Sequence, residues 1–424
     1  MPFIREWNPV LESASARVAM ESAARVARTV FDEFDATQVD LAGGSTGIAL
    51  ALTYLSDALD DPSLRTSARR VWQSVLGNLE NSVTTPSLFG GFCGPAWVVA
   101  QLGERLGYDT SGVHDEVESV LVAHLSSGPV NRNYDLISGL VGFGVYALER
   151  FPSGESARII ELVVERLLGQ AERVPNGVTW STPAELLPEW QRRQAPSGYW
   201  NLGLAHGVPG ILAFMARVNR IGALPGRGRE VLEEGVRWLL YCRDGSGSGY
   251  RSWLPIGSHE DPKDPPRSRT AWCYGGLGVA AALAVAAACM EREDWMSEAR
   301  SLASNCASIP FEQSGVVDHG LCHGAAGVAH LFGRLGSLVD DDALRVASRV
   351  WLEKTMDMRL DGAGIDGYAA RRAKNPEVMD PKNMVWEMVR DAGFLVGASG
   401  VALALAAGFS SAEPSWDRAL LVSF

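Results

Sequence analysis

A short glycine pattern that recurs seven times is the feature that most constrains the fold of this chain. Each copy reads Gly-x-x-Gly and is followed by an apolar run, as in "GSTGIALALTYL" and "GAAGVAHLFGRL". The first glycines of the seven copies are Gly44, Gly91, Gly139, Gly207, Gly275, Gly324 and Gly397. The intervals between them are 47, 48, 68, 68, 49 and 73 residues. This indicates a basic unit of about 47 to 49 residues, with three longer connections.

Amphipathic stretches with helical periodicity lie between the glycine patterns, for example "SLRTSARRVWQSVLGNLENSV". Each unit is therefore predicted to be a helical hairpin that contains an amphipathic helix, a loop, the glycine turn and a more apolar, alanine-rich helix. We expect the alanine-rich helices inside, because small side chains let backbones approach closely, and the charged helices outside. Seven hairpins predict an all-α fold, a double-layered α/α toroid that forms a single domain over residues 1–424. Strand signals are sparse and do not recur at the spacing of an all-β or βαβ fold.

The glycine pattern also resembles a phosphate-binding loop. A P-loop would continue with Lys and then Ser or Thr, and a dinucleotide-binding turn would follow a strand. Neither context is found in this sequence. A small-residue turn that lets an inner helix start close to its neighbours therefore explains the seven copies better.

Composition limits the class of protein. The chain has 424 residues, of which 46% are hydrophobic and 21% charged, as in ordinary globular proteins. Its net charge of −12 argues against a nucleic-acid partner. The N-terminus lacks the apolar core of a signal peptide, and no long uncharged apolar run indicates a membrane span. Six cysteines in this length do not resemble a disulfide framework, so we expect a cytoplasmic, reduced protein.

Three of the seven copies carry reactive side chains in the two positions before the first glycine. The pairs are Ala205-His206, Cys273-Tyr274 and Cys322-His323. Because equivalent positions of a ring lie on one rim, Cys273, Cys322 and His323 are predicted to converge there. Two thiolates and an imidazole suit zinc, and three protein ligands with an open fourth position are typical of a catalytic site. The alternative is a pair of buried cysteines beside a hydrogen-bonded core histidine.

The remaining cysteines and histidines are predicted to have other roles. Cys93, Cys242, Cys289 and Cys306 have no reactive neighbour in repeat register, which is typical of core cysteines. His319 is a weaker candidate for a ligand, or for a residue that supports one. His330 lies seven residues along the inner helix from His323, away from the rim. The histidines predicted to lie at the surface are His114, His124 and His259.

The segments "NLGLAHGVPGI", "RTAWCYGGLGV" and "GLCHGAAGV" resemble three signature segments of the lanthionine synthetase C-like family, the LanC cyclases. The resemblance extends over essentially the whole chain and includes the C-terminal "WDRALLVSF". It implies a seven-hairpin toroid with one central zinc ion. It also implies intramolecular addition of a peptide cysteine thiol to dehydroalanine or dehydrobutyrine, which forms lanthionine or methyllanthionine. The length resembles a stand-alone cyclase rather than a synthetase fused to a dehydratase.

The resemblance also implies roles for individual residues. The matching positions are Cys273, Cys322 and His323 for the zinc ligands, His206 for proton transfer, and Asp135, Arg269 and Tyr274 for further active-site residues. A dication deprotonates a bound thiol, and a histidine beside it is suited to act as acid or base. Asp135 is expected to orient the imidazole and Arg269 to stabilise the enolate oxygen. The structural alternatives are a helix cap for Asp135 and a solvated loop charge for Arg269.

Two long connections flank the predicted site. Residues 173–200 precede His206 and residues 243–269 precede Cys273, and both are rich in Gly, Pro, Ser and Trp. They are predicted to be loops. Long loops over a rim shape binding clefts in many proteins, and variable surface decoration is the alternative.

Several functions remain open at the level of the sequence. The leading prediction is a zinc-dependent lanthipeptide cyclase that acts on a dehydrated precursor peptide. A dehydratase and a transporter are its expected partners, either in the cytoplasm or in a membrane-associated complex. One alternative adds glutathione to dehydroamino acids, as eukaryotic relatives do, and another is a non-catalytic zinc-bearing scaffold, against which Asp135 and His206 argue. A ring glycosidase would need paired carboxylates, whereas this rim presents thiols.

Overall fold

The fold is built almost entirely from helices. The computed structural model describes residues 6–82, 85–107, 111–127, 133–244, 249–256, 268–375 and 383–423. Its α-helices are α1 (Ser13–Asp32), α2 (Ser45–Ala58), α3 (Pro62–Ser82), α4 (Cys93–Leu106), α5 (Ser111–Ser127), α6 (Leu140–Arg150), α7 (Ser156–Gln170), α8 (Glu189–Gln194), α9 (Val208–Arg220), α10 (Gly226–Tyr241), α11 (Gly276–Met290), α12 (Glu293–Ala307), α13 (Ala325–Val339), α14 (Asp342–Asp357) and α15 (Ala398–Phe409). Across these described ranges, every helix is too short or too polar to pass through a lipid bilayer.

Seven of these helices form a closed inner ring. They are α2, α4, α6, α9, α11, α13 and α15. Each begins within two residues of the first glycine of one Gly-x-x-Gly copy, which is called a glycine tetrad below. Each packs on the next one along the chain, and α15 packs on α2. Their residues are nearly all buried, so that in α11 all residues except Cys289 are buried. The structure therefore confirms the all-α toroid and its alanine-rich inner layer.

The outer layer consists of the amphipathic helices α1, α3, α5, α7, α10, α12 and α14. In α1 the buried residues Ala19, Ala23, Val26 and Val30 recur at intervals of three and four. Each outer helix from α3 onward packs, within the inner layer, mainly on the inner helix that comes directly before it in the chain. Helix α1 packs mainly on α15. The sequence predicts the amphipathic helix first in each hairpin, but the structure has the inner helix first. The short inner-to-outer connections explain this order, because they force consecutive helices to be antiparallel neighbours.

Both glycines of each tetrad allow a close approach of the backbone. At Gly91 a Cβ atom would lie 2.2 Å from the carbonyl oxygen of Thr85, and at Gly94 it would lie 2.3 Å from that of Leu88. In all seven tetrads both glycines meet an oxygen of the residue six positions earlier in this way. Any other side chain would clash, because real Cβ atoms essentially never approach within 3.0 Å of another atom. The glycine pattern is thus explained by packing, as predicted.

A belt of backbone hydrogen bonds joins the turns that precede the inner helices. The amides of Ala42, Phe89, Cys273, Cys322 and Leu395 donate to the carbonyl oxygens of Phe89, Ile137, Cys322, Leu395 and Ala42, at distances of 2.8 to 3.2 Å. Each of these residues lies two positions before the first glycine of its tetrad. Equivalent repeat positions therefore lie on one rim, at the end of the ring where the inner helices begin.

Short strands lie in the long connections. Strands β1 (Glu172–Val174) and β2 (Gly177–Thr179) form an antiparallel pair. A three-stranded antiparallel sheet contains β3 (Ser181–Thr182), β4 (Tyr199–Asn201) and β5 (Trp253–Pro255). A second antiparallel pair contains β6 (Ala370–Ala373) and β7 (Trp386–Val389). The sequence predicts loops over 173–200 and 243–269, whereas β1 to β5 and α8 lie largely within them. Each strand spans four residues or fewer, too short for a recognisable alternation. Residues 245–248 and 257–267 lie outside the described residues.

The closing segment of the chain lies inside the ring. Residues Ser415–Leu420 form a 3₁₀ helix in which Trp416 and Leu420 are buried. The indole nitrogen of Trp272 donates to the carbonyl oxygen of Leu420 at 2.9 Å. Because Trp272 directly precedes Cys273, this segment supports the rim from within the ring.

Candidate metal centre

Three potential metal ligands converge on the rim. The Sγ atoms of Cys273 and Cys322 and a ring nitrogen of His323 lie within 4.8 Å of one another. They belong to two neighbouring turns, which the amide of Cys273 and the carbonyl oxygen of Cys322 join at 3.2 Å. Adjacent residues Cys322 and His323 reach the same point because they lie in a turn rather than in a helix. The structure thus brings together the three side chains that the repeat register predicts.

The surroundings of the two thiols favour one thiolate and oppose a second. The hydrogen bond with Cys322 lowers the pKa of Cys273 despite its burial, and His323 and Arg269 lower it further. The hydrogen bond with Cys273 raises the pKa of Cys322, and burial raises it further because it removes water from the charged form. The negative charge of Cys273 adds to this, because it repels a second thiolate. A cation between the sulfurs would remove that repulsion. Two thiols and one imidazole therefore fit zinc in both their chemistry and their placement.

A buried carboxylate holds the imidazole of His323. The Nε2 atom of His323 lies 3.1 Å from Oδ2 of Asp318, which is 2% exposed. Burial lowers the pKa of His323, but the hydrogen bonds with Asp318 and then Cys273 outweigh it and raise the pKa to about 9. With Nε2 engaged by Asp318, Nδ1 is the atom available as a ligand. Asp318 is not among the predicted site residues, although it occupies the same repeat position as Asn201.

His206 lies on the neighbouring turn and is held by Asp135. The Nδ1 atom of His206 lies 2.8 Å from Oδ2 of Asp135, whose Oδ1 accepts the amide of Ser138 at 2.8 Å. Asp135 therefore shapes the turn before α6 and holds the histidine, but it does not cap α6, whose N-cap residue is Gly139 without a side-chain cap. Burial lowers the pKa of His206, but the hydrogen bond and charge of Asp135, with Cys273, outweigh it and the net shift is upward. Its Nε2 atom is then suited to exchange protons.

Tyr274 and Arg269 border the same site. The ring of Tyr274 stacks on His206 with centroids 6.0 Å apart, and its hydroxyl accepts a hydrogen bond from Asn201 at 3.1 Å. Burial raises the pKa of Tyr274, so its hydroxyl stays neutral at physiological pH. Arg269 is exposed, and its charge lowers the pKa of Cys273. Asn201, at the end of β4, is a further site residue that is absent from the predicted set.

Comparisons with known proteins bear on this arrangement. A family model described as "Lanthionine synthetase C-like protein" matches residues 35–421. The chain belongs to this family. This LanC-like protein is 20% identical over 359 residues to the nisin biosynthesis protein NisC of Lactococcus lactis subsp. lactis, a match that covers 78% of the chain and 83% of NisC. Its fold matches that of nisin cyclase with a TM-score of 0.75 at 17% identity, over 97% of this chain and 98% of the other.

The other cysteines of this LanC-like protein lie in the core, as predicted. Cys93 and Cys306 are buried, and Cys242 and Cys289 are partly buried. Burial raises the pKa of all four thiols, to about 12 for Cys242 and Cys306. At neutral pH these side chains are therefore protonated and poor nucleophiles.

The histidines outside the site differ in part from their predictions. His114 is predicted at the surface, but it is buried with Nδ1 3.1 Å from the hydroxyl of Tyr146. The charged neighbours in "HDEVES" conceal the fact that His114 lies on the inward face of α5. The ring nitrogens of His319 lie 3.3 and 3.1 Å from the carbonyl oxygens of Ala369 and Met358, so it does not join the metal cluster. His124 is half-buried, and His259 lies outside the described residues.

A cavity of about 570 Å³ lies at the other end of the toroid of this LanC-like protein. Its lining includes Leu148, Arg217, Ala288 and Leu338, which belong to the last turns of inner helices. The predicted site residues lie before the first turns of those helices and do not line this cavity. The chemistry of the rim is therefore separate from this cavity.

Proposed function

We propose that this LanC-like protein is a zinc-dependent lanthipeptide cyclase. It adds a cysteine thiol of a dehydrated precursor peptide to a dehydroalanine or dehydrobutyrine of the same peptide, which forms a lanthionine or methyllanthionine ring. One observation carries the proposal. Cys273, Cys322 and His323 converge within 4.8 Å, beside the partly exposed His206 and the Asp135 that holds it. The likeness to a protein named nisin cyclase supports the same conclusion.

The reaction needs a nucleophilic sulfur and a route for one proton. The S–C bond forms at the β-carbon of the alkene, the π-electron pair moves toward the adjacent carbonyl, and a proton is added at the α-carbon. The thiol proton balances the added proton, so nothing is oxidised or reduced overall. Cys273, Cys322 and His323 would hold a zinc ion, and this cation would supply the positive charge that lowers the pKa of a substrate thiol beside it. The helices α11 and α13 begin three residues after the two cysteines, and their N-terminal ends favour negative charge there.

His206 is the group best placed to move the proton. Asp135 accepts the Nδ1 hydrogen, so Nε2 takes the thiol proton and returns it to the α-carbon. The raised pKa of His206 increases the protonated fraction near neutral pH. The stacked ring of Tyr274 restricts the imidazole, and the guanidinium of Arg269 stabilises the negative charge on the enolate oxygen.

The neighbouring connections are suited to bind the peptide. Strand β4 ends at Asn201, which contacts Tyr274, so the sheet of β3, β4 and β5 borders the site. In the proposed role, a dehydratase supplies the dehydroamino acids and a transporter exports the product. We place the protein in the cytoplasm, where cysteines stay reduced.

Metal analysis and a peptide assay together test the proposal. Protein purified without added metal should contain about one zinc per chain. The Cys322→Ala variant should lose the ion and stay folded by circular dichroism. Incubation of a dehydrated precursor peptide with the native protein should reduce its alkylatable thiols, as counted by mass spectrometry, and the variant should leave them unchanged.

The same assay distinguishes the alternatives. Native protein with less than about a tenth of a zinc per chain would contradict the zinc mechanism. A zinc-loaded protein that leaves the peptide thiols unchanged would favour a scaffold. Added glutathione that appears as a peptide adduct only when the enzyme is present would favour the glutathione-transferring alternative.

A further inference from the structure

One side-chain turn recurs in four of the seven repeats. The residues six positions before the first glycine of these repeats are Asn133, Asn201, Asp318 and Asp391. In each, the side-chain oxygen Oδ1 accepts the backbone amide of the residue two positions later, at 2.8 to 3.2 Å. Such turns are typical of Asn and Asp and shape the backbone locally. The turn occupies one polar atom of the side chain, so the other can bind a different partner.

The side-chain polar atom that does not form the turn has a different partner in each of three of these repeats. Nδ2 of Asn201 donates to the hydroxyl of Tyr274, at 3.1 Å. Oδ2 of Asp391 accepts a hydrogen bond from Arg372, also at 3.1 Å. Oδ2 of Asp318 instead faces Nε2 of His323 at 3.1 Å. Asp318 is therefore the member of this set whose second atom contacts one of the clustered ligands.

We propose that Asp318 is a positioning residue for the metal centre, where it sets the rotation and tautomer of His323. This inference rests on the zinc site of the proposed function. The turn to Gly320 anchors one carboxylate oxygen, and Gly324 packs so closely that a Cβ there would lie 2.4 Å from Oδ1. The carboxylate is thus fixed before any ligand is bound.

The fixed carboxylate determines which nitrogen of His323 can bind metal. Nε2 lies 3.1 Å from Oδ2 of Asp318, so when this carboxylate holds the hydrogen on Nε2, Nδ1 is the nitrogen whose lone pair is free for a metal ion. Carboxylate partners of this kind orient ligating imidazoles and increase their basicity. Because Asp318 is buried, water competes little with this contact.

The Asp318→Asn variant separates the two roles of this side chain. Asn133 and Asn201 show that an asparagine forms the same turn in this fold. The variant should therefore keep the turn while it loses the charged acceptor that faces His323. We expect its zinc affinity, measured by competition with a chromophoric chelator, to fall by about 10- to 100-fold. The absorption spectrum of the Co²⁺-substituted protein should change as well.

Asp391→Asn is the matched control, since it makes the same change in the same turn next to Arg372 rather than His323. Its zinc affinity should equal that of the native protein. In a His323→Ala background, Asp318→Asn should have no further effect on zinc affinity. If Asp318→Asn folds poorly by circular dichroism, Asp318→Ser, whose hydroxyl also forms such turns, replaces it in the same comparison.

An Asp318→Asn variant that binds zinc within about twofold of the native protein, with an unchanged Co²⁺ spectrum, would overturn this inference and leave Asp318 a role in the turn alone. An equal loss of affinity in the His323→Ala background would also overturn it, because the effect would then not pass through His323. Native protein that binds no zinc would contradict the proposed function instead. The two failures are therefore distinguishable.

Discussion

Two histidine–aspartate pairs in this protein have similar hydrogen bonds and opposite surroundings. His206 lies 2.8 Å from Asp135 on the rim, and its side chain is 39% exposed. His330 lies 2.6 Å from Asp417 inside the ring, and its side chain is 2% exposed. Both pairs join an inner turn or helix to a distant part of the chain. The comparison therefore isolates the effect of the environment on the same two side chains.

The difference lies in what else binds the aspartate. Asp417 also accepts hydrogen bonds from the guanidinium of Arg334, at 2.5 and 3.0 Å. Burial lowers the pKa of His330, and Arg334 lowers it further, so that the raising effect of Asp417 is outweighed. Within the part of the chain that the structure describes, no cation contacts Asp135, and the net shift in the pKa of His206 is upward.

Trp416 lies against His330, with ring centroids 4.4 Å apart, and excludes water from the inner pair. This pair therefore binds the closing segment to α13 and takes no part in proton exchange. The histidine of the rim pair is 39% exposed, which the proposed proton transfer to a substrate requires. A histidine beside an aspartate is thus not sufficient evidence of chemistry, and access and competing charges decide its role.

The largest expected effect is on activity at the rim pair. His206→Ala should reduce the rate of ring formation by about 10²- to 10⁴-fold, because the thiol addition loses its acid and base. Zinc content should stay near native, since His206 is not among the three clustered ligands, and the melting temperature should stay near native at about pH 9, where the pair no longer contributes to stability. Mass spectrometry of peptide thiols, metal analysis and a thermal melt measure these quantities. A native rate of ring formation would show that His206 only lines the site.

The next effect is on stability at the inner pair. Asp417→Ala leaves Arg334 and His330 without their shared partner, and should lower the free energy of unfolding by about 3–5 kcal/mol. Urea unfolding measures this loss, while the folded fraction should retain zinc and ring formation. Asp417→Asn keeps some hydrogen bonds and should lose less, which matters if the alanine variant does not fold. A loss below about 1 kcal/mol in both variants would contradict the structural role of this pair.

The sequence was informative about the toroid because its packing constraints recur locally. Both glycines of every tetrad contact a residue only six positions away, so the constraint repeats in the sequence as a short pattern. The repeat register therefore predicts that Cys273 and Cys322 converge. The belt of backbone hydrogen bonds, which holds equivalent positions on one rim, explains why they do.

The features that the sequence did not predict depend on contacts between distant segments or on burial. Asp417 binds Arg334, 83 residues away in the chain, and no local pattern relates them. The inward orientation of His114 depends on Tyr146 of α6. Asp318 is the exception, since an Asn or Asp six residues before the glycine recurs in four repeats and was available as a signal.

The smallest expected effect is a change in pH dependence at the rim pair. The pKa of His206 is raised, so its protonated form persists above the ordinary histidine range, and Asp135→Asn removes the charge that raises it. The alkaline limb of the rate of ring formation should therefore move to lower pH. The raised pKa also means that the pair stabilises the folded chain below the ordinary histidine pKa and loses this contribution as the pH rises through the raised value. The melting temperature of Asp135→Asn should accordingly fall below native at about pH 5.5 and match it at about pH 9. An unmoved alkaline limb would assign the titrating group to another residue and remove the contrast with the inner pair, where burial and then the charge of Arg334 lower the pKa of the histidine.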